Sequence, residues 1–341
     1  MTKFYFYPKI KLKVTDIQNS YSYDFENALA VHHEVVNKEP NAKGIFDLFK
    51  FLSKTYAYLF NWIEDLPRRK MGKMQVLFFV FFLMLAKIFG KKIVWILHNK
   101  YSHNTASNRW TDFMFKTMMR NANLILTHSK DGVAFGKMKY PKYAHKIKYV
   151  IHPIKEKIRN SNKEKKYDFL FWGSIHPYKD IVKFLEFIKT RKDIESPKIL
   201  IIGRCYDADY EKLLRASLSA DMVFEDQFYE MEAIADFAAQ SKYILFTYNA
   251  GSVLSSGALM DSIRMNTNII GPNHGAFKDL SYLPTVDVFE SFEDIVEILR
   301  NYSEKVSSKE VELELFFQEN SWLKFADHIQ SYTEELFVKN K

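Results

Sequence analysis

Short apolar runs recur along this sequence, and stretches with helical spacing lie between most of them. The clearest are, by number, 92–97, 124–127, 147–151, 167–172, 198–202 and 243–247. Runs of about four to eight β-branched, aliphatic and aromatic residues are typical of buried strands. Strands that alternate with helices favour a parallel sheet with crossover helices. The sequence therefore predicts an α/β fold.

The two ends of the chain are less regular. Phe4–Tyr7 and Lys11–Val14 are predicted strands. The apolar spacing of Ile45–Phe60 predicts one amphipathic helix, which ends before Pro67. Residues 310–338 are also predicted to be helical. The apolar stripe of this last segment comprises Trp322, Phe325, Ile329 and Leu336.

Net charge divides the chain into two parts. Its 341 residues are enough for two domains, at about 150 residues per domain. Residues 1–155 hold 26 Lys and Arg against 10 Asp and Glu, a net charge of +16, whereas residues 156–341 carry −8. A basic half favours an anionic partner. Nucleic acid, anionic lipid headgroups and phosphorylated substrates are all partners of this kind. The polar stretch 153–166 is the predicted linker.

Composition excludes several classes of protein. Hydrophobic residues make up 47% and charged residues 26%, which is ordinary globular usage and excludes a disordered or collagen-like chain. Cys205 is the single cysteine, so no internal disulfide can form, and a reducing, cytoplasmic setting is favoured.

One run, Met74–Phe89, is apolar enough to suggest contact with a membrane. Lys87 interrupts it, and the remaining stretch of about 13 residues is too short to cross a bilayer core of about 30 Å. Two interpretations stay open: a buried helix of the first domain, or a helix that lies in an anionic membrane surface. Basic residues flank the run, namely Arg68, Arg69, Lys70, Lys73, Lys91 and Lys92.

Three strand-to-helix turns in the second half carry residues suited to bind phosphate. After residues 167–172, Gly173 lets the backbone approach a ligand closely, and Lys179 precedes a helix. After residues 198–202, Arg204 follows a glycine at the carboxyl end of a predicted parallel strand, where α/β sheets bind ligands. Its forked guanidinium group suits a diphosphate.

The third turn lies between a strand that ends at Thr247 and a helix. Ser255, Ser256 and Gly257 open that helix, where hydroxyl and backbone N–H groups can hold a phosphate. Asp261 lies one turn further along, where a carboxylate can bind a ribose diol. For each of the three turns, an ordinary loop beside a capped helix is the alternative interpretation.

These segments together resemble a known family of enzymes. The runs GSIHPYKDI, IIGR and SSGALMDSIRMNTNIIGPNHGAF are similar to the C-terminal domain of GT-B glycosyltransferases, nearest to the family 4-like bacterial enzymes that build capsules and lipopolysaccharides. The resemblance implies that Lys179 contacts the donor diphosphate and that Ser256 and Gly257 contact phosphate. Asp261 takes the place of the second Glu of the family's Glu–seven–Glu motif, which binds the ribose. Val253 stands where the first Glu is usual.

The resemblance also implies an architecture. A GT-B enzyme has two Rossmann-like domains that face a cleft. The expected segments are an acceptor-side domain at 1–152, the linker at 153–166, a nucleotide-sugar-binding domain at 167–315, and a C-terminal helix at 316–341 that packs back on the first domain.

Glycosyl transfer needs groups that stabilise the leaving diphosphate and, if the configuration inverts, a base for the acceptor hydroxyl. Inversion is the favoured outcome here. His98 and His103, which follow the run 92–97, and Glu64 are the candidate bases. Each of the three has an alternative interpretation as an ordinary core or surface residue.

No metal or other cofactor is expected. Asp207 and Asp209 have the spacing of a metal motif, but they are interpreted as surface residues at a helix start. The predicted function is transfer of a sugar from a UDP- or GDP-sugar to a glycan or lipid-linked acceptor, in the cytoplasm at the inner face of the membrane, with no nucleic acid partner. The alternatives are a nucleic-acid-binding protein that uses the basic half, and a sugar-nucleotide binder without activity.

Overall fold

Two parallel β-sheets organise the part of the chain that the structure describes. The structure is a computed structural model that describes residues 1–9, 20–38, 44–100, 109–158, 163–193, 195–249, 254–302 and 310–338. The chain divides into two compact units: the first combines Met1–Pro153 with Asn320–Lys341, and the second is Ile154–Glu319. The predicted strand Lys11–Val14 and the candidate base His103 lie outside the described residues. The α/β fold predicted from the sequence is confirmed.

Each sheet has six strands, and every neighbouring pair runs parallel. The strands of the first unit are β1 Lys3–Tyr7, β2 Glu34–Val35, β3 Ala57–Asn61, β4 Lys92–Leu97, β5 Leu124–Thr127 and β6 Ile147–Tyr149. Those of the second are β7 Tyr167–Trp172, β8 Ile199–Ile202, β9 Met222–Glu225, β10 Ser241–Leu245, β11 Asn268–Pro272 and β12 Val286–Phe289. The strand orders are β2-β1-β3-β4-β5-β6 and β12-β11-β10-β7-β8-β9.

Helices connect the strands. The α-helices are α1 Tyr21–His32, α2 Asp47–Lys50, α3 Gly72–Ile88, α4 Arg109–Asn121, α5 Lys130–Lys139, α6 Ile181–Thr190, α7 Ala208–Ala216, α8 Met231–Ala239, α9 Gly257–Arg264, α10 Gly275–Asp279, α11 Phe292–Arg300, α12 Glu310–Glu319 and α13 Trp322–Val338. Short 3-10 helices lie at Gly44–Phe46, Ile63–Arg68, Pro141–Lys146 and Pro177–Lys179.

The prediction of one helix over Ile45–Phe60 is wrong. Only a 3-10 turn and the four-residue α2 form there, and β3 follows. All five residues of β3 are buried, and the strand pairs with both β1 and β4. A short apolar run is compatible with either helix or strand, so pairing with two neighbours decided the outcome. As a result, Asn61 lies at the carboxyl end of a central strand.

The last helix packs on the first unit. The ring of Phe325 on α13 lies 4.9 Å from that of Phe25 on α1, and both rings are buried together with Ile329. Trp322 and Leu336 pack against the same cluster and are partly buried. The apolar stripe predicted for this segment is therefore the face that joins it to the core.

In the second unit, the strand order brings the three predicted turns together. β10, β7 and β8 are consecutive in the sheet, and because they are parallel their carboxyl ends share one edge. The loops that carry Lys179, Arg204 and Ser256 leave from these three ends. This edge is the site that α/β sheets use for ligands.

Candidate active site

Lys179 is held inside the loop that follows β7. Gly173 leaves the strand with φ +83°, in the left-handed region that favours glycine, and Asp180 ends the loop at φ 52°. The Lys179 side chain folds back between them, is 7% exposed, and donates to the Trp172 carbonyl at 3.1 Å. Burial lowers the pKa of this lysine to about 8.

Tyr248 connects this lysine to the third turn. The Lys179 ammonium lies 5.8 Å from the centre of the Tyr248 ring, within the range of a cation–π contact. The Tyr248 hydroxyl lies 3.4 Å from Ser256 Oγ. The Thr247 hydroxyl donates to the Lys179 carbonyl, and Asn249 N–H donates to the Tyr178 carbonyl at 3.1 Å. The loops after β7 and β10 therefore support one another.

The amino end of α9 faces the same group. Ser256 is the N-cap, and its hydroxyl accepts from Leu259 N–H at 3.4 Å. Ser255 is half-buried and Gly257 is exposed, with no atom within 4 Å of the place a Cβ would take. A helix N-terminus attracts anions through its N–H groups and its dipole. Together with Lys179, it forms an arrangement suited to a phosphate.

The ends of β7 and β8 approach each other very closely. Gly203 has φ +140°, and a Cβ there would lie 2.0 Å from the Gly173 carbonyl oxygen, so a side chain is excluded. Arg204 follows, half-exposed, and donates to the Asp226 carbonyl at 2.9 Å, with the Asp226 carboxylate at 3.5 Å. Arg204 thus lies at the expected edge, but its guanidinium group is engaged by Asp226, which directly follows the neighbouring strand β9.

Asp261 is likewise paired within its helix. Its Oδ1 accepts from the Arg264 guanidinium at 2.8 Å, and Arg264 also donates to the Glu156 carbonyl at 2.8 Å. A ribose would therefore compete with Arg264 for this carboxylate. The structure brings Lys179 and Ser256 together around Tyr248, with Gly173 next to Lys179, whereas Arg204 is paired with Asp226 and Asp261 with Arg264.

Three histidines gather at the equivalent edge of the first sheet. His98, His128 and His152 follow β4, β5 and β6 respectively, and these strands are neighbours. Ring centres lie 6.1 Å apart for His98 and His128, and 5.0 Å apart for His128 and His152. The Tyr21 ring contacts all three imidazoles. We call this group the strand-end histidine cluster.

His98 is oriented by two neighbours from the end of β3. Its Nε2–H donates to the Asn61 amide oxygen at 3.0 Å, which places the lone pair of the neutral ring on Nδ1. The Trp62 indole stacks on the imidazole with ring centres 4.5 Å apart and an interplanar angle of 15°. His98 is 9% exposed. Its ring is thus fixed in orientation at a strand end.

The other two histidines are held as neutral rings. His128 Nδ1–H donates to the Val150 carbonyl at 3.0 Å, and Nε2 accepts from the Tyr21 hydroxyl at 2.7 Å. Burial lowers the pKa of His128 well below its ordinary value, as do the nearby His152 and His98. Burial also lowers the pKa of His152 to about 4. Both nitrogens of His128 are therefore committed to structure.

Glu64 lies deeper than the sequence suggested. Trp62 adopts the left-handed conformation at φ 48°, which turns the chain into the 3-10 helix and carries Glu64 inward. The carboxyl is 1% exposed, and its Oε2 accepts from Trp95 Nε1–H at 3.2 Å. Within the described residues, Oε1 has no hydrogen-bond partner. Burial raises the pKa of Glu64 to about 8.

Replacing Glu64 by glutamine should make stability less dependent on pH. The unfolded carboxyl loses its proton near pH 4.5 and the folded one near pH 8, so between these values the native state binds more protons and the free energy of unfolding falls as pH rises. The slope contributed by this group is at most about 1.4 kcal/mol per pH unit. Urea unfolding of Glu64→Gln should show a stability gain over wild type that grows from about pH 5 to about pH 8.

The control for that experiment is Asp112→Asn, which removes an exposed carboxyl on α4. It should follow the wild-type pH dependence. Parallel curves for wild type and Glu64→Gln would contradict a buried, protonated Glu64.

Metal ligands do not cluster in the part of the chain that the structure describes. There, no group of three or more His, Cys, Asp or Glu is arranged to hold a metal ion. Asp207 is the N-cap of α7, where its carboxylate accepts from the N–H groups of Asp209 and Tyr210. The Asp207–Asp209 pair is thus a helix-capping motif.

Sequence reasoning missed Tyr248, His128 and His152 as members of these groups. A signal was present for the histidines, since each directly follows a predicted strand, as His98 does. Tyr248 also directly follows a predicted strand, but aromatic residues are common throughout this chain, so its residue type did not single it out. Its position between Lys179 and Ser256 depends on the pairing of β7 with β10.

Solved structures resemble this chain, whereas no protein-family model and no curated protein matches it. Anabaena Alr3699/HepE, solved in complex with UDP and glucose, aligns with TM-score 0.68 at 11% identity over 98% of this chain and 100% of that one. The lipopolysaccharide outer core galactosyltransferase WaaB aligns with TM-score 0.62 at 14% identity over 97% and 99%. AviGT4, a glycosyltransferase involved in avilamycin A biosynthesis, aligns with TM-score 0.58 at 12% identity over 98% of both chains. At these identities the likeness establishes the fold, which is that of GT-B glycosyltransferases.

Proposed function

We propose that this chain is a glycosyltransferase that moves a sugar from a nucleoside-diphosphate donor to a glycan or lipid-linked acceptor. The observation that carries the proposal is Lys179, a buried cation beside the amino end of α9 at the ligand-binding edge of the second sheet. Burial of an ammonium group costs free energy, and a lysine whose pKa is lowered by burial is typical of functional sites. Both facts favour an anion-binding role for Lys179.

A uridine nucleotide is the first donor to test. Anabaena HepE, which shares the fold, has been solved with UDP and with UDP-glucose. In the present chain, the Lys179 ammonium and the N–H groups of α9 offer positive charge to a diphosphate. The identity of the sugar depends on side chains that the shared fold does not specify, so the donor panel below includes several.

The ligand-binding edge of the second sheet would act on the leaving diphosphate. When the bond between the anomeric carbon and the β-phosphate oxygen breaks, negative charge grows on the diphosphate. Lys179 and the α9 amino end would stabilise that charge more than they stabilise the bound donor, which lowers the barrier. We propose that the reaction proceeds without a metal, because a cation and a helix dipole already serve the diphosphate.

The base is proposed to be His98. Asn61 and Trp62 fix its ring, and the lone pair of the neutral form lies on Nδ1. This nitrogen can take the proton of an acceptor hydroxyl as the hydroxyl oxygen attacks the anomeric carbon. Such direct attack inverts the configuration. Glu64 is left out of this chemistry because its carboxyl points at Trp95 inside the first unit.

The acceptor is proposed to be a glycan or a lipid-linked oligosaccharide of a bacterial surface polysaccharide, reached at the cytoplasmic face of the membrane. The net charge of +16 on residues 1–155 supports an anionic surface beside this unit. WaaB, which shares the fold, is a lipopolysaccharide enzyme.

A panel of UDP-, GDP- and CMP-sugars tests the donor class by thermal stabilisation. A ligand at about 100 times its Kd adds about 2.7 kcal/mol to the free energy of unfolding, which raises Tm by several degrees. We expect this shift with one nucleotide class and expect it to persist in EDTA. Measurement of UDP release with and without candidate acceptors then tests for transfer.

Three outcomes would contradict the proposal. Stabilisation by duplex or single-stranded nucleic acid, with none by sugar nucleotides, would favour a nucleic-acid-binding protein. Stabilisation by a sugar nucleotide without transfer to any acceptor would favour an inactive binder. Loss of the shift in EDTA would indicate that a metal takes part in donor binding.

A further inference from the structure

Helix α3 has two apolar faces, and only one of them belongs to the core. Val76, Phe79 and Phe82 are fully buried against the sheet, and the Phe82 ring contacts Tyr58 at 4.8 Å. The opposite face carries large apolar side chains that are between 38% and 70% exposed. These are Met74, Leu77, Phe78, Phe81, Met84 and Ile88. We call this set the outer face of α3.

The outer face is a continuous stripe. Leu77, Phe81, Met84 and Ile88 recur at intervals of four, three and four residues, which places them on one side of a helix. From Met74 to Ile88 the stripe extends for about 21 Å. Such contiguous apolar surface on a protein marks an interaction site.

Neighbouring aromatic rings widen the stripe. Phe46 is 39% exposed and its ring lies 4.8 Å from that of Phe78. The Phe49 ring stacks beside Phe81 at 6.1 Å. The exposed surface is therefore an aromatic and aliphatic patch, rather than scattered apolar side chains.

A basic pocket of about 460 Å³ opens at the carboxyl end of α3. Leu83 lines it with the start of β4, the ends of α4 and α13, and the region before β6. Glu335 is the acidic side chain that lines it, and His145 is also present. The cationic side chains are Lys87, Lys91, Lys92, Arg120, Lys146 and Lys148.

These six cations are poorly compensated. Over the described ranges, none of them forms an ion pair with a carboxylate within 4 Å. The Lys146 ammonium instead donates to the carbonyls of Met119 and Arg120 at 3.3 and 2.9 Å. Burial, and secondarily the charge of Lys87, lowers the pKa of Lys146. The pocket thus holds positive charge in excess and favours an anion.

We propose that the outer face of α3 and the basic pocket form one docking site for an anionic phospholipid bilayer. The helix lies in the plane of the membrane surface with its outer face among the acyl chains, at a depth of about 5–10 Å. The lysines of the pocket hold lipid phosphate groups. Among the helices that the structure describes, none is long and apolar enough to cross the bilayer.

The combination of positive charge and exposed apolar surface favours an anionic bilayer over other partners. A purely apolar partner would leave the six cations without counterions, and a free anion would leave the outer face in water. An anionic bilayer presents phosphates and acyl chains side by side, and each Lys or Arg near its surface adds to the attraction. The inference concerns membrane binding alone and does not depend on the proposed transfer reaction.

Flotation with vesicles tests the site on the full chain. Wild type should bind vesicles of phosphatidylglycerol and phosphatidylcholine, bind pure phosphatidylcholine at least about tenfold more weakly, and lose binding at high salt. The double variant Leu77→Glu/Phe81→Glu removes the outer face, and Lys91→Glu/Lys148→Glu reverses charge in the pocket. Each should lower the partition coefficient at least about tenfold.

Matched controls lie in the second unit. Leu213→Glu replaces an apolar side chain that is 52% exposed on α7, and Lys212→Glu reverses a lysine that is 80% exposed. Both should bind vesicles as wild type does. Each variant should unfold in one cooperative thermal transition, which shows that it is folded. Thermal stabilisation by UDP should also be the same in all variants, which separates membrane binding from donor binding.

Two results would overturn the proposal. One is equal binding of wild type to charged and neutral vesicles, or none to either. The other is an unchanged partition coefficient in both double variants. When wild type binds neither kind of vesicle, a dimer in sedimentation that Leu77→Glu/Phe81→Glu dissociates would identify the outer face as a subunit interface.

Discussion

Replacing Lys179 by alanine is expected to weaken UDP binding by about 10- to 100-fold, with a further loss in the rate of sugar transfer. A hydrogen bond to a charged group contributes about 1.5–3 kcal/mol, and the low-dielectric surroundings of this buried ammonium favour the upper part of that range. The larger effect on rate follows because negative charge on the diphosphate increases as the glycosidic bond breaks. Calorimetric titration with UDP measures the first effect, and UDP release measures the second.

Binding should also respond to pH. Burial lowers the pKa of Lys179 to about 8, so the ammonium form that attracts a diphosphate is present below this pH and is lost above it. UDP affinity of the wild type should therefore fall as pH rises through about 8, and Lys179→Ala should lack this fall.

The matched control is Lys183→Ala. This lysine is on the next turn of the same loop and helix, 65% exposed and paired with Asp180 at 3.0 Å. Its loss should leave UDP affinity within about twofold of wild type, because its ammonium group lies in solvent, where its interaction with other charges is weak. Equal weakening by both substitutions, or an unchanged affinity in Lys179→Ala, would remove Lys179 from the donor site.

Replacing His98 by glutamine is expected to lower kcat by about 100- to 10,000-fold, the usual contribution of a positioned general base. UDP affinity should stay unchanged, because the diphosphate contacts are assigned to the second unit. Glutamine can still donate to the Asn61 amide oxygen and pack against Trp62, but it cannot accept a proton. The kcat and the donor KM, measured with the acceptor identified by the transfer assay, provide the test.

His128→Gln is the comparison for that experiment. Both ring nitrogens of His128 are used in hydrogen bonds to Val150 and Tyr21, so its loss should lower the free energy of unfolding while kcat falls much less. A His98→Gln enzyme with kcat within about threefold of wild type would exclude His98 as the base. Similar losses of kcat in both variants would indicate that the cluster acts through structure alone.

Much of the fold was predictable because its signals are local. The runs that became β4, β5, β7, β8 and β10 are short and apolar, and all five formed strands as predicted. β3 escaped prediction, since the five residues Ala57–Asn61 are compatible with helix or strand until β1 and β4 pair with them. Local preference is weak in such a run, and long-range pairing overrides it.

The candidate site was predictable in part. Gly173, Lys179 and Ser256 were identified from turn chemistry, because a glycine, a cation and a helix cap are recognisable within a few residues. The pairing of Arg204 with Asp226 and of Asp261 with Arg264 was not predictable in the same way. Each depends on where a side chain points, and a sequence pattern gives only its position along the chain.

The sequence by itself determined the α/β class, the strand-to-helix turns that carry Gly173, Lys179 and Ser256, and the uneven charge, because strand length, glycine conformation, helix capping and net charge are local or additive properties. The tertiary structure alone decided which strand ends are neighbours, and so gathered His98, His128 and His152 at one edge and joined Lys179 to Ser256 through Tyr248. It also decided that α3 buries one apolar face and exposes the other. The physical reason is that burial and contact depend on which distant segments pair, and pairing is settled only when the whole sheet forms.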